Sequence, residues 1–271
     1  MNGYRDITGP RAEPVSATEA KLHLRITDTS EDTRIASLIT AARQWCESFL
    51  NKRIISQTVR WDMDQFPSHE SFRLPFPPVS SVTGLTYLDT AGDRQTLATT
   101  VYQVDYGNDL ARVVLSYLQT WPTARTDSSS IQTTFVTGYA TPFTANATTD
   151  IITTQGRTYA TGDVVRVTNT GGALPTGLSI ATDYYVIGAS GSTFQLSATS
   201  GGAAIDLTGA GSGTNFIGEV PEPIRQAILI LVSTWFEFRE ANVAGAIVTP
   251  VPFTVEALLW PYRSLETYGG D

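Results

Sequence analysis

The chain has 271 residues, of which 41% are hydrophobic and 10% aromatic, enough apolar material to bury a substantial core in one large domain or two modest ones. Only 16% are charged and the net charge is −8. That balance argues against a general nucleic-acid binder, which needs a basic face to displace counterions.

Ser16-Ala17-Thr18-Glu19 is a capping-box pattern, in which a Ser and a Glu three residues apart satisfy free backbone N–H groups reciprocally. It predicts a short helix from Ser16 to about Arg25. The acids near Asp28–Asp32 suit a second helix start. Beyond them Ile35, Leu38, Ile39, Ala42, Trp45, Cys46, Phe49 and Leu50 recur at three- and four-residue steps, the stripe of a helix of about twenty residues. The period then changes to two. Ile55, Gln57, Val59, Trp61 and Met63 predict a strand exposed on one face. The proline-rich Leu74–Val79 reads as an extended connection, because proline cannot donate to a central ladder. Further strands are expected over Val82–Leu88 and Ile131–Tyr139, with a hairpin from 102–106 and 111–115 around Gly107-Asn108-Asp109.

Composition shifts at about Thr141. From Pro142 to Gly218 Thr, Gly, Ser and Ala dominate, yet strand-like runs at 164–167, 184–187 and 193–196 alternate with turn clusters. This predicts a small all-β domain over 142–218, inserted between a strand and the next helix. Helical signals return at Val220-Pro221-Glu222-Pro223, with Ile224, Ala227, Ile228, Leu231, Trp235 and Phe238 as the core-facing stripe. Gly245 and Thr249–Pro252 are expected to break that helix. A last amphipathic piece runs from Val255 to Trp260 and is kinked or ended by Pro261. The expected fold class is α+β: a small helical bundle with a short β section, plus an inserted all-β domain. The expected divisions are an extension over 1–15, the bundle with its β section over 16–141 and 219–271, and the insertion over 142–218.

The chemistry is sparse. Cys46 is the single cysteine, which excludes an intrachain disulfide and a cysteine-built zinc site. It sits on an apolar stripe, where an inert core thiol is expected. His23 and His69 lack metal-ligand spacing. Asp62 and Asp64 fall on the solvent side of a strand, as edge charges do. Gly209, Gly211 and Gly213 have no following Lys and lead into a strand, so they form a turn and not a phosphate loop. Asn146-Ala147-Thr148 matches a glycosylation sequon at chance level. No run reaches the ~18 apolar residues of a membrane span, and the polar start is no secretory signal. No catalytic residue, metal site or cofactor is expected, and the chain is not expected to be an enzyme.

Residues 14–140 and 219–268 resemble the head–tail adaptor (connector) proteins of long-tailed bacteriophages and gene transfer agents. The resemblance is carried by Ser16–Lys52 with Ala42-Arg43-Gln44-Trp45-Cys46-Glu47, by Phe72–Val79, and by the ending Leu258-Leu259-Trp260-Pro261-Tyr262-Arg263. The segment 142–218 departs from the family's compact form and is similar to small β modules that recur in phage structural proteins. The resemblance implies a virion protein of the neck, made in the host cytoplasm. It implies a ring, usually twelvefold, beneath the portal, extending the DNA channel and receiving the stopper or tail-completion protein. DNA would pass without specific binding, and no membrane is involved. Leu258, Leu259, Trp260, Tyr262 and Arg263 are the expected portal anchor, with capping of the bundle core as the competing role for the two leucines. The insertion is expected to project outward, touching capsid, portal or neighbouring subunits. The alternative is a carbohydrate-binding or adhesin-like phage protein acting through the β module.

Overall fold

The computed structural model describes residues 3–107, 110–155, 157–238 and 253–265. In chain order the elements are β1 (Gly3–Thr8), α1 (Ala17–Leu24), α2 (Asp32–Leu50), β2 (Gln57–Met63), β3 (Ser71–Arg73), β4 (Val79–Leu88), β5 (Arg94–Thr96), β6 (Tyr102–Asp105), β7 (Arg112–Leu115) and β8 (Ile131–Thr137). The inserted segment follows with β9 (Thr141–Asn146), β10 (Ile151–Thr154), β11 (Val164–Val165), β12 (Val167–Thr170), β13 (Tyr184–Ser190), β14 (Thr193–Ser197) and β15 (Thr214–Ile217). Then come α3 (Glu222–Glu237), α4 (Phe253–Leu259) and a 3₁₀ turn over Trp260–Tyr262. The α+β class expected from the sequence is the class observed. The expected breaks at Gly245 and Thr249–Pro252, and Asn108 and Asp109 of the hairpin turn, lie outside the described residues.

Two compact units partition the chain. The first comprises Met1–Pro10, Asn51–Gly138 and Ser264–Asp271, and the second Arg11–Leu50 and Tyr139–Arg263. In the first unit an antiparallel five-stranded sheet runs β1-β2-β8-β4-β5 and a three-stranded sheet runs β3-β7-β6. Alternation on β2 sends Val59, Trp61 and Met63 inward, where they meet Ile131 and Phe135 of β8, Leu85 of β4, Phe72 of β3 and Val113 of β7 in one core. Neither β1 nor β3 is foreseen from the sequence. β1 has Tyr4 and Ile7 at odd spacing and no period-two signal, and it forms because β2 offers an open edge. Gly138 ends the sheet strand with φ +131, and a Cβ there would lie 2.6 Å from the backbone of Ile55 and Ser56.

The second unit holds the helices and the inserted β segment. The capping box at Ser16 is present in both directions: Ser16 N–H donates to Glu19 Oε2 (2.9 Å) and Glu19 N–H to Ser16 Oγ (3.1 Å). Ile35, Ile39, Ala42, Cys46 and Leu50 form the buried stripe of α2, and it packs on Ile224, Ala227, Ile228 and Leu231 of α3. α3 has no basic residue in its last turn, and Arg34 of α2 fills that place. Its Nη2 donates to the carbonyl of Phe236 (3.2 Å), and its guanidinium lies 4.7 Å from the Phe236 ring centroid. Strands β9–β15 make a seven-stranded sheet of order β11-β13-β14-β10-β9-β15-β12. Its two end strands are consecutive in sequence, separated by Arg166 alone, so the run 164–170 pairs with β13 on one side and β15 on the other. The sheet thereby closes on itself. Its core, including Phe143, Ile152, Val167, Val186, Phe194, Leu196 and Ile217, is drawn wholly from this segment.

Candidate partner-binding site

The expected anchor residues lie on α4 and the turn after it, in the second unit. Pro261 supplies no N–H to continue the helix, and the chain leaves α4 through the 3₁₀ turn, closed by Arg263 N–H to Trp260 O (3.2 Å). This sorts the residues by role. Leu259 is 0% exposed and, with Val255, sits in the helical core. Leu258 and Tyr262 are half-buried, while Arg263 is exposed and Trp260 is 58% exposed. Phe253, at the start of α4, is 80% exposed.

α2 extends this surface. Trp45 and Phe49, one helical turn apart, stack with ring centroids 5.3 Å apart and planes 13° from parallel. The Arg263 guanidinium lies 5.0 Å from the Phe49 centroid and 5.5 Å from that of Trp260. A cation thus links aromatic rings from two elements, a contact of about 0.5–1 kcal/mol at an exposed site. Trp, Tyr and Arg are the residue types enriched where binding energy concentrates. The sequence places Trp45 and Phe49 on the core stripe; their meeting with Arg263 is a product of tertiary packing alone.

A second polar node sits where the β segment meets α1 and α3 within the same unit. Glu19 accepts from Ser16 N–H, from the Thr170 hydroxyl and from the Arg225 guanidinium, and Ser16 N–H also reaches Thr170 Oγ1 (3.0 Å). Burial pushes the Glu19 carboxyl up, but these donors outweigh it and hold its pKa below the ordinary value. Nearby, Arg43 on α2 is buried between two carboxylates, with Nε 2.7 Å from Glu13 and Nη1 2.8 Å from Glu47.

The remaining candidates take structural or surface places. His23 and His69 are exposed. Cys46 is buried, and burial with the nearby Glu47 charge pushes its thiol up to about 12, leaving it protonated at neutral pH. Arg60 holds Asp62 with bonds of 2.8 and 3.0 Å, and Asp64 accepts from Ser129 N–H (3.1 Å). Gly211 and Gly213 have positive φ in the turn that leads into β15. Among the described residues no group of three or more His, Cys, Asp or Glu side chains could hold a metal, and no helix is long and apolar enough to cross a membrane.

Residues 16–84 match the family described as phage gp6-like head–tail connector protein. No curated protein matches the chain. Among solved structures, a chain in the neck of an empty gene transfer agent particle, computed with C6 symmetry, superposes with a TM-score of 0.57 at 18% identity, covering 99% of this chain and 98% of that one. A chain of the native gene transfer agent virion gives 0.57 at 17% identity over 98% of both chains. One from the native neck computed with C12 symmetry gives 0.55 at 17% identity, over 99% of this chain and 98% of that one. The shared fold therefore includes the inserted β segment as well as the helices. The stretch 16–84, from the capping box of α1 into β4, is therefore the part of the chain that is similar in sequence to phage gp6-like head–tail connector proteins.

Proposed function

We propose that the protein is a structural component of the virion neck, a head–tail connector that assembles as a ring, lengthens the DNA channel below the portal and links it to the stopper or tail. The observation that carries this reading is the end-to-end likeness of fold to chains of gene transfer agent necks, joined to the connector-family match over residues 16–84. Its work is assembly and not catalysis, in keeping with that family. A closed ring needs heterologous contacts, in which one patch of each copy meets a different patch of the next. A net-negative subunit suits a conduit, because acidic walls repel the DNA backbone and let it slide.

Within this reading Trp260, Tyr262 and Arg263, with Leu258 beside them, present the portal-binding surface, and Leu259 holds the element in place from the helical core. The solution mass of the purified chain, with images of the particles, tests the ring; the expected result is a closed oligomer, and a monomer at all concentrations would refute it. Trp260→Ala and Arg263→Ala should leave the fold and the ring intact while weakening attachment to portal at least tenfold. Normal attachment by both variants would remove this surface from the interface.

A further inference from the structure

Sheet edges expose unpaired backbone N–H and C=O groups and are templates for pairing with another chain. In the inserted segment the two end strands are parts of one run, 164–170, which pairs with β13 through Val164 and Val165 and with β15 through Val167–Thr170. The outer strands of the three-stranded sheet, β3 and β6, each carry a buried residue. The five-stranded sheet differs. Its outer strands are β1 and β5, and neither contains a single buried residue. Neither strand carries proline or lysine; their charged residues are Arg5, Asp6 and Arg94, and the Arg94 guanidinium is turned back onto Thr86 Oγ1 and the Ser130 carbonyl (both 3.3 Å). Asp6 is engaged by Arg53 (3.1 Å), so it is not left as a repelling charge.

We infer that neighbouring copies of this chain join edge to edge, with β5 of one copy running alongside β1 of the next and the five-stranded sheet continuing across the subunit boundary. The inference deepens the ring reading above and rests on it. A ring contact needs two different patches facing opposite ways, and the two ends of one sheet are such a pair. Direction also agrees. All neighbours in the order β1-β2-β8-β4-β5 are antiparallel, so the first and fifth strands run the same way. The small rotation between successive subunits of a sixfold or twelvefold ring preserves that direction, so the junction is a parallel pair. A two-fold contact of β1 with β1 would instead be antiparallel and would stop at a dimer. β5 is short and a single junction is weak, but closure of the ring makes every junction support the others.

The register selects the probe. The row through Thr96 runs by way of Thr86, Gln132 and Asp62 to Gly3, which places Thr96 and Arg5 on the same face of the sheet; Gln95 and Tyr4 share the other face. The full-length double variants Arg5→Cys/Thr96→Cys and Tyr4→Cys/Gln95→Cys, oxidised as purified rings, should give a ladder of covalent multimers on non-reducing gels, and the single variants none. Cys46 is buried and adds no background. Rings of wild-type mass that yield no ladder with either pair would overturn the junction and leave the ring reading standing. Covalent dimers from Arg5→Cys alone would overturn it in favour of two-fold pairing. A wild-type chain that stays monomeric would overturn both, and the mass measurement separates that case from the others.

Discussion

Arg43 shows how one side chain can hold several segments. It is buried on α2 yet charged, because Glu13 from the segment before α1 and Glu47 one turn on both reach it. Replacing it with methionine keeps much of the volume but removes the guanidinium that neutralises Glu47, itself buried. Breaking a buried pair from one side costs about 3–5 kcal/mol, and the loss should appear as a large drop in the urea midpoint. Gly138 is constrained by backbone and not by charge. Its left-handed φ and the 2.6 Å approach to Ile55 and Ser56 mean that Gly138→Ala should destabilise by roughly 2–3 kcal/mol. An unchanged midpoint would show that the loop relaxes around the new methyl.

At the scale of elements, the polar node joining α1, α3 and β12 rests on the Glu19 carboxylate. Its folded pKa is depressed, so the stability it contributes is fully present above the ordinary carboxylate range and is lost as pH falls through the lowered folded value. Wild type should therefore be more stable than Glu19→Gln at neutral pH, and the difference should shrink steadily on acidification. Paired denaturant titrations between neutral and strongly acidic pH check the sign. A difference that grew on acidification would contradict it. The C-terminal end of α3 makes a parallel case. Arg34→Ala removes the donor on its last carbonyls and should cost about 1 kcal/mol.

For the whole molecule, the geometry of insertion is the informative feature. β9 leaves the framework and β15 returns to it, and the two are hydrogen-bonded neighbours, Thr141 opposite Ile217. Entry and exit therefore lie side by side, the arrangement under which an insertion leaves its host undisturbed. We propose that 142–218 folds as a domain in its own right, since its core recruits no residue from outside it. Replacing 142–218 by a short Gly-Ser linker should leave the helical signal in circular dichroism, with some loss of stability because Thr170 no longer supports the α1 cap. Global unfolding of the deletion variant would refute a separate domain.

Local features were legible because short-range chemistry dictates them. The Ser16–Glu19 box, the stripe on α2, the alternation on β2 and the stop at Pro261 each follow from spacing within a few residues. The connector resemblance is carried by stretches of the same kind. Other features have no local signature. β1 is a strand because β2 lends it a ladder; β9 forms despite Pro142, because β10 and β15 pair with it on either side. The pair Trp45 and Phe49 is far in the chain from the pair Trp260 and Arg263, and only the packing of α2 against α4 makes them one surface. The sequence by itself determined the helices, the strand periods and the inserted β composition, since propensity, capping and alternation act between near neighbours. Which edges stay open and which aromatics converge was decided only by tertiary structure, because both depend on pairings between residues that no periodicity connects.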